Sequence, residues 1–278
     1  MMKSVTLRLL LLLLFFLASG CIPTYRLTDA EVFGPPNHQL PQITMDKQSG
    51  DIDVRPYVNI LQSDENLSGI IEEDEQTAGF SWDVPDYSSG LNIDLTAGNA
   101  FAFNLGATYT SQGTRDFWGG NLGIGVFNDD LPTWAWRVDL GVMIQEMAYR
   151  LTYDVQPENG DSSRTEVFRG RDSHPNLYAM FTVNSKVKEW PVNVFLNLGM
   201  GNKTFFDVSR SVFSSENTTI RFGNTYQFVS PGLIFDLGGG THILLGYRRQ
   251  FERAIEVTRG EDGWSEMYVQ LQLRANRR

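Results

Sequence analysis

Asp172 and His174 are separated by a single residue, a spacing that can place a carboxylate beside an imidazole. A carboxylate in that position can orient the ring as a general base. The other two histidines, His38 and His242, lie far from this pair, and the chain has one cysteine, Cys21. Scattered histidines and one cysteine lack the ligand spacing of a transition-metal site, so the sequence predicts neither a bound metal nor a cofactor.

A glycine-rich stretch could support a second kind of chemistry. The sequence DLGGGT at residues 236–241 could bring backbone N–H groups close to a phosphate. It is similar to a phosphate-binding turn of actin-type ATPases, which are longer α/β chains. Their companion N-terminal loop and alternating helices are missing from this sequence. Because three consecutive glycines readily adopt positive φ, we interpret DLGGGT as a tight turn between two strands.

The elements that would position these residues are strands, because apolar and polar residues alternate from Asp51 onward. In FAFNLGATY, residues 101–109, phenylalanine, leucine, alanine and tyrosine alternate with alanine, asparagine, glycine and threonine. About ten segments repeat this pattern, each near the length with which a tilted strand crosses a bilayer. The sequence therefore predicts an all-β fold, an antiparallel up-and-down transmembrane β-barrel of about ten strands, within a range of roughly eight to twelve.

The connections between these segments alternate in length, as short periplasmic turns and long external loops do in outer-membrane barrels. AGNA and GGG are short, whereas residues 150–174, 206–219 and 252–263 form long connections. The alternation requires a first strand at DIDVRPYVNIL, with residues 62–90 as the first external loop. We therefore expect an even number of strands and both termini on the periplasmic side.

The same alternation directs a set of polar side chains into the barrel lumen. Buried charges are tolerated when they are paired and hydrogen-bonded. Both signs occur in this set, which predicts a cross-lumen salt-bridge network that fills the interior, because a barrel of this size is only wide enough for side chains or a narrow path. The predicted network consists of Asp53, Arg55, Tyr57, Asp94, Arg137, Asp139, Arg248 and Glu266.

The N-terminus contains the apolar run LLLLLLFFLASGC, residues 9–21, after a short basic start. A membrane-spanning helix needs about 20 apolar residues, so this shorter run predicts a secretory signal peptide. Residues 17–21, LASGC, resemble the lipobox of bacterial lipoproteins. The resemblance implies that Cys21 becomes the first mature residue and carries diacylglycerol and an acyl chain such as palmitate. An ordinary signal peptide with an incidental cysteine is the alternative.

The predicted organisation has three parts: a lipoprotein signal peptide at residues 1–20, a flexible periplasmic tether at 21–50 and the barrel at 51–278. A formal net charge of -10 argues against nucleic acid as a partner. Residues 51–274 resemble small bacterial outer-membrane β-barrel proteins, which implies an outer-membrane location and contact with outer-membrane lipid. Such proteins often end on an aromatic residue, whereas this chain ends in RANRR.

Two enzyme families also bear a resemblance. Omptin proteases have an Asp-x-His pair like Asp172 and His174, and their second carboxylate pair is similar to Asp51 and Asp53. The predicted strand order places these two pairs at opposite ends of the barrel. The sequence HILLGYRRQFERA, residues 242–254, is similar to a strand of the lipid A deacylases but lacks their His and Ser.

We therefore predict that the chain is not an enzyme but a structural or surface-binding barrel that acts through extracellular loops. A narrow channel for small solutes is the first alternative. The others are an outer-membrane hydrolase of the omptin or lipid A deacylase type and a soluble, lipid-anchored β-domain. The partner would be an extracellular ligand or a small solute, and the sequence predicts no oligomeric state.

Overall fold

The computed structural model describes residues 24–35, 40–61, 67–73, 76–156, 162–209, 219–252 and 263–275. Within these residues the regular structure is entirely β, and no helix is long and apolar enough to cross a membrane. The strands, in chain order, are β1 (Thr24–Phe33), β2 (Ile52–Leu61), β3 (Leu67–Glu73), β4 (Gln76–Asp83), β5 (Tyr87–Ala97), β6 (Phe101–Gln112), β7 (Arg115–Asn128), β8 (Trp134–Gln156), β9 (Arg164–Ser185), β10 (Val192–Ser209), β11 (Thr219–Gly238), β12 (Thr241–Glu252) and β13 (Gly263–Ala275).

Ten of these strands close into an antiparallel barrel in the order β2, β5, β6, β7, β8, β9, β10, β11, β12, β13. Closure is made between β13 and β2, where Val269 pairs with Val58. This confirms the predicted fold class and strand number. The glycine run of residues 238–240, with φ between 63° and 81°, connects β11 to β12.

The two ends of the barrel differ in their connections. At one end, here called the short-turn end, residues 98–100, 129–133, 186–191 and 239–240 connect the strands. At the other end, here called the long-hairpin end and taken as the top of the barrel, β8, β9, β10 and β11 extend as long paired strands. Its β6–β7 connection is an exception to the predicted alternation, because these strands are joined by only Gly113 and Thr114.

The predicted loop at residues 150–174 is largely strand, because β8 and β9 remain paired up to Val155 and Arg164. Apolar residues of β8 face outward as far as Ile144. Beyond that point the buried apolar residues are Met147, Leu151, Tyr153 and Val155, which lie on the opposite side of the strand. The apolar residues of β8 change sides because β1, β4 and β10 cover the part of β8 at the long-hairpin end. A prediction that assigns one lipid-facing side to the whole strand does not detect this change.

Three further strands extend the sheet at the long-hairpin end. β1 pairs in antiparallel fashion with the upper part of β8 and in parallel fashion with β4, and β3 pairs with β4. Apolar side chains of β1 and β4 pack against β8 and β10 in a group that we call the mouth cluster. It contains Leu27, Ala30, Val32, Ala78, Phe80, Trp82, Met147, Leu151, Tyr153, Phe205 and Phe206.

The predicted tether at residues 21–50 contains this strand β1 and a segment that crosses the lumen. The lumen segment, residues 40–50, runs to Asp51 at the short-turn end, where Gly50 N donates to Thr96 O at 2.9 Å. Its apolar side chains pack against inward-facing residues of β2, β10, β11, β12 and β13, in a cluster of Leu40, Ile43, Met45, Tyr57, Phe195, Ile234, Leu244 and Tyr268. A flexible tether is therefore the wrong description of the described residues 24–35 and 40–50.

The lumen segment carries no hydropathy period because the wall surrounds it. The backbone N–H of Thr44 donates to Asn184 Oδ1 at 3.1 Å, and Asn184 Nδ2 donates back to Thr44 O at 2.9 Å. At the other end of the lumen, Lys203 Nζ donates to Pro35 O at 2.5 Å. The first described residue, Thr24, lies at the long-hairpin end, and the last, Ala275, lies at the short-turn end.

The outer surface of the barrel is an apolar belt. Large apolar side chains point outward from all ten strands and are about two-fifths to two-thirds exposed. Representative members are Val58, Leu91, Phe103, Leu122, Leu140, Leu177, Leu196, Leu233, Leu245 and Val269. A continuous exposed belt of this kind is what a strand barrel presents to lipid.

Candidate functional site: the charged lumen

The eight residues of the predicted network all lie inside the barrel. Tyr57 is 4% exposed and the seven charged residues are fully buried. Five of them form a lower group near the short-turn end: Asp53, Arg55, Asp94, Arg137 and Asp139. Arg248 and Glu266 form an upper group near the long-hairpin end, and Tyr57 lies between the two groups.

Arg137 is the centre of the lower group. Its Nη1 and Nη2 atoms each lie 2.8 Å from an oxygen of Asp94, and its Nε lies 2.8 Å from Asp139 Oδ1. The planar guanidinium suits such double contacts with carboxylates. Arg55 Nη2 lies 3.1 Å from Asp53 Oδ2 and 3.4 Å from Asp94 Oδ2. Strands β2, β5 and β8 thus meet through one shared network.

Lys47 and Arg274 also belong to the lower group, and the period of two did not identify them. Lys47 Nζ lies 3.2 Å from Asp53 Oδ2 and also pairs with Asp94. Arg274 Nε lies 2.9 Å from Asp53 Oδ1 and 3.5 Å from Asp51 Oδ2. The group then balances four carboxylates with four cations: Asp51, Asp53, Asp94 and Asp139 with Lys47, Arg55, Arg137 and Arg274.

Polar side chains extend the lower group up the barrel wall. Asn104 Nδ2 donates to Asp139 Oδ1 at 3.3 Å, and the Tyr178 hydroxyl donates to Asn104 Oδ1 at 3.0 Å. Asn121 Nδ2 donates to the same oxygen of Asn104 at 3.2 Å. Because β6, β7, β8 and β9 all contribute, these hydrogen bonds fix the register of four of the ten barrel strands.

The upper group is smaller and lies among aromatic rings. Arg248 Nη1 lies 3.0 Å from Glu266 Oε1. The Arg248 guanidinium also lies 4.5 Å from the centre of the Phe228 ring and 5.9 Å from that of Tyr268. The Tyr268 hydroxyl shares a hydrogen bond of 2.7 Å with Ser230. These contacts connect β11, β12 and β13 on the inner side of the barrel wall.

The candidate catalytic residues are not brought together. His174 lies on the upper part of β9, opposite Gln145, whereas Asp51 and Asp53 lie at the short-turn end. His242 lies at the short-turn end too, with Nε2 3.7 Å from Asp236 Oδ1. No group of three or more His, Cys, Asp or Glu side chains that could hold a metal occurs among the residues described above. His38 and the predicted lipidation site Cys21 lie outside the described residues.

No protein-family model and no curated protein matches this chain. Solved structures of outer-membrane barrels are similar to it at low identity. The translocator domain of the autotransporter NalP from Neisseria meningitidis is 9% identical over 83% of this chain and 90% of that chain, with a TM-score of 0.36. The outer membrane protease OmpT from Escherichia coli is 7% identical over 81% and 92%, with a TM-score of 0.35. LpxR from Salmonella typhimurium is 6% identical over 79% and 99%, with a TM-score of 0.33.

The comparison corrects one prediction made from the sequence. We predicted that the chain is not an enzyme, and this prediction is wrong as a conclusion from the barrel pattern, because an outer-membrane protease is among the solved structures to which the chain is similar. A barrel fold is compatible with more than one function, so the function depends on the residues of the lumen and of the long-hairpin end.

Proposed function

We propose that this chain is an outer-membrane β-barrel that its own lumen segment closes to solutes, and that it binds a surface ligand at the long-hairpin end. The observation that carries the proposal is the burial of residues 40–45 inside the barrel, with the Lys47 side chain paired to Asp53 and Asp94. The apolar belt supports insertion in a bilayer, because soluble proteins rarely expose apolar patches of that extent.

The closure rests on contacts made by different parts of the lumen segment. Leu40, Ile43 and Met45 occupy apolar space in the middle of the barrel. Nearer the short-turn end, the backbone N–H of Lys47 donates to Asp129 Oδ2 at 2.8 Å and that of Gln48 to Asp51 Oδ2 at 2.8 Å. A barrel of ten strands leaves little room beside such a segment.

The binding surface is the sheet that rises above the belt. The mouth cluster holds β1 and β4 against β8 and β10, so this part of the chain has its own apolar core. Charged side chains cover it, including Arg150 at 3.4 Å from Glu31 and Arg171 at 2.6 Å from Glu146. Outer-membrane barrels carry their longer connections outside the cell, and this surface would therefore face the medium.

Conductance in planar lipid bilayers tests the proposed closure. We expect the native protein to be electrically silent. A variant with residues 40–45 replaced by glycine and serine should conduct, because the apolar filling of the lumen is lost while the ionic anchor at Lys47 remains. A heat-modifiable band on a gel would establish that the variant is still a folded barrel. Steady conductance by the native protein would instead support the narrow channel.

Lipidation of Cys21 stays part of the proposal. Labelling cells with radioactive palmitate should mark the native protein and leave a Cys21→Ser variant unmarked. Equal labelling of the two proteins, or no labelling of either, would remove the lipoprotein assignment and leave an ordinary signal peptide.

A further inference from the structure

Lys47 is the one cation of the lower group that is not on a barrel strand. It belongs to the lumen segment, and its side chain is fully buried. The ammonium contacts carboxylates of two strands, Asp53 on β2 and Asp94 on β5. It also lies 5.8 Å from the centre of the Phe127 ring. The wall thus holds the end of the lysine side chain much as a protein holds a bound ligand.

The surroundings of this ammonium favour a nitrogen cation over a metal ion. Mg²⁺ and Ca²⁺ take six or more oxygen ligands. Here the oxygens of Asp53 and Asp94 are already shared with Arg55 and Arg137, and both guanidiniums would repel a divalent cation. An ammonium group carries one charge and three N–H donors, which matches two partly occupied carboxylates.

We propose that Asp53 and Asp94 form a binding site for primary ammonium ions, and that Lys47 occupies this site as a tethered ligand in the closed barrel. A free alkylammonium ion or polyamine binds the same carboxylates when the lumen segment leaves them. The inference rests on the proposed function, because the lumen segment is what closes the barrel. It adds the chemical class of ligand, a primary ammonium ion, that competes with Lys47 for these carboxylates.

Without the lysine, the site carries an unbalanced charge. Asp51, Asp53, Asp94 and Asp139 would face only the three arginines of the lower group. An uncompensated buried charge is strongly destabilising, so the vacant site should attract another cation. Lys47→Ala removes three methylene groups and the ammonium, and n-propylammonium has this composition.

The test is chemical rescue of Lys47→Ala in the full-length, detergent-solubilised barrel. We expect its apparent unfolding temperature to fall by about 5–10 °C. n-Propylammonium should restore most of this loss with a saturable dependence on concentration. Tetramethylammonium, which has no N–H donor, should not restore it, and neither ion should move the native protein.

Lys47→Met is the matched control, because methionine fills the space of the lysine chain without its charge. We expect this variant to be destabilised and not to respond to n-propylammonium. Equal responses of the alanine and methionine variants, or no response of the alanine variant, would overturn the proposal. If Lys47→Ala does not fold alone, the yield of heat-modifiable barrel refolded with n-propylammonium becomes the measurement, and an unchanged yield overturns the site.

Conductance separates this inference from the proposed function. Rescue of Lys47→Ala together with a native barrel that conducts would support the ammonium site and refute the closure. A silent native barrel without rescue would support the closure and refute the site.

Discussion

At the scale of single residues, Arg137 has the most demanding position in the lumen. Its guanidinium contacts both Asp94 and Asp139, and all three side chains are fully buried. Removing one partner of a buried ion pair leaves the other charge without compensation, which typically costs far more than the intact pair contributes.

We therefore expect Arg137→Ala to lower the free energy of unfolding by about 3–5 kcal/mol. Arg137→Lys should recover only part of this loss, because an ammonium cannot reproduce the double contact of a guanidinium. Unfolding in urea, followed by tryptophan fluorescence, measures the difference. The matched control is Arg171→Ala, whose pair with Glu146 is partly exposed and should cost at most about 1 kcal/mol. Similar losses for Arg137→Ala and Arg171→Ala would contradict the importance of the buried network.

Sequence reasoning located these residues because a strand has two sides. Once Val138 and Leu140 are assigned to lipid, Arg137 and Asp139 must face inward. The same reasoning could not find Lys47, since the lumen segment makes contacts all around it and has no outer face. It also could not pair Arg137 with Asp94, because their proximity depends on the order of strands around the barrel.

At the scale of elements, the attachment of β1 and β4 is coupled to the protonation of two acidic side chains. Partial burial raises the pKa of Asp29 on β1, and the neighbouring Glu31 carboxylate raises it further. Partial burial also raises the pKa of Asp83 on β4, and Asp86 adds to the effect. In both cases the attached strand favours the protonated carboxyl group.

A raised carboxyl pKa makes strand attachment less favourable above that pKa and more favourable as the pH falls through it. We expect hydrogen exchange in β1, corrected for its intrinsic pH dependence, to be slower in mild acid than at neutral pH. In Asp29→Asn the difference should shrink, because the titrating group is gone. Faster corrected exchange in acid would show that attachment of β1 has the opposite dependence.

The strands that extend the sheet at the long-hairpin end were not predicted from the sequence. The period of two identified the membrane parts of the strands, because each has one lipid-facing side along its length. Above Ile144 the apolar residues Met147, Leu151, Tyr153 and Val155 of β8 are buried, so the apolar residues alternate in the opposite phase. β1 fell within the predicted tether because its burial depends on β4 and β8, which are distant in sequence.

At the scale of the whole molecule, the fold makes a prediction about membrane orientation. With the long hairpins outside the cell, a cysteine placed at Ser163, beside the start of β9, should react in intact cells with a membrane-impermeant maleimide. A cysteine placed at Glu189, in the β9–β10 turn at the short-turn end, should react only after the outer membrane is opened. Both variants carry Cys21→Ser so that no other thiol is present. The reverse pattern of labelling would invert the barrel and place the proposed binding surface in the periplasm.

The passage of residues 40–50 through the lumen also constrains the order of folding. The segment continues into β2 at one end of the barrel and is linked through residues 34–39 to β1 at the other. Once β2 and β13 have paired, residues before this segment can reach the long-hairpin end only by moving lengthwise through the lumen. The simplest folding route therefore places the segment first and closes the β2–β13 seam around it. On this route a bulky domain fused before β1 would not have to pass through the closed barrel.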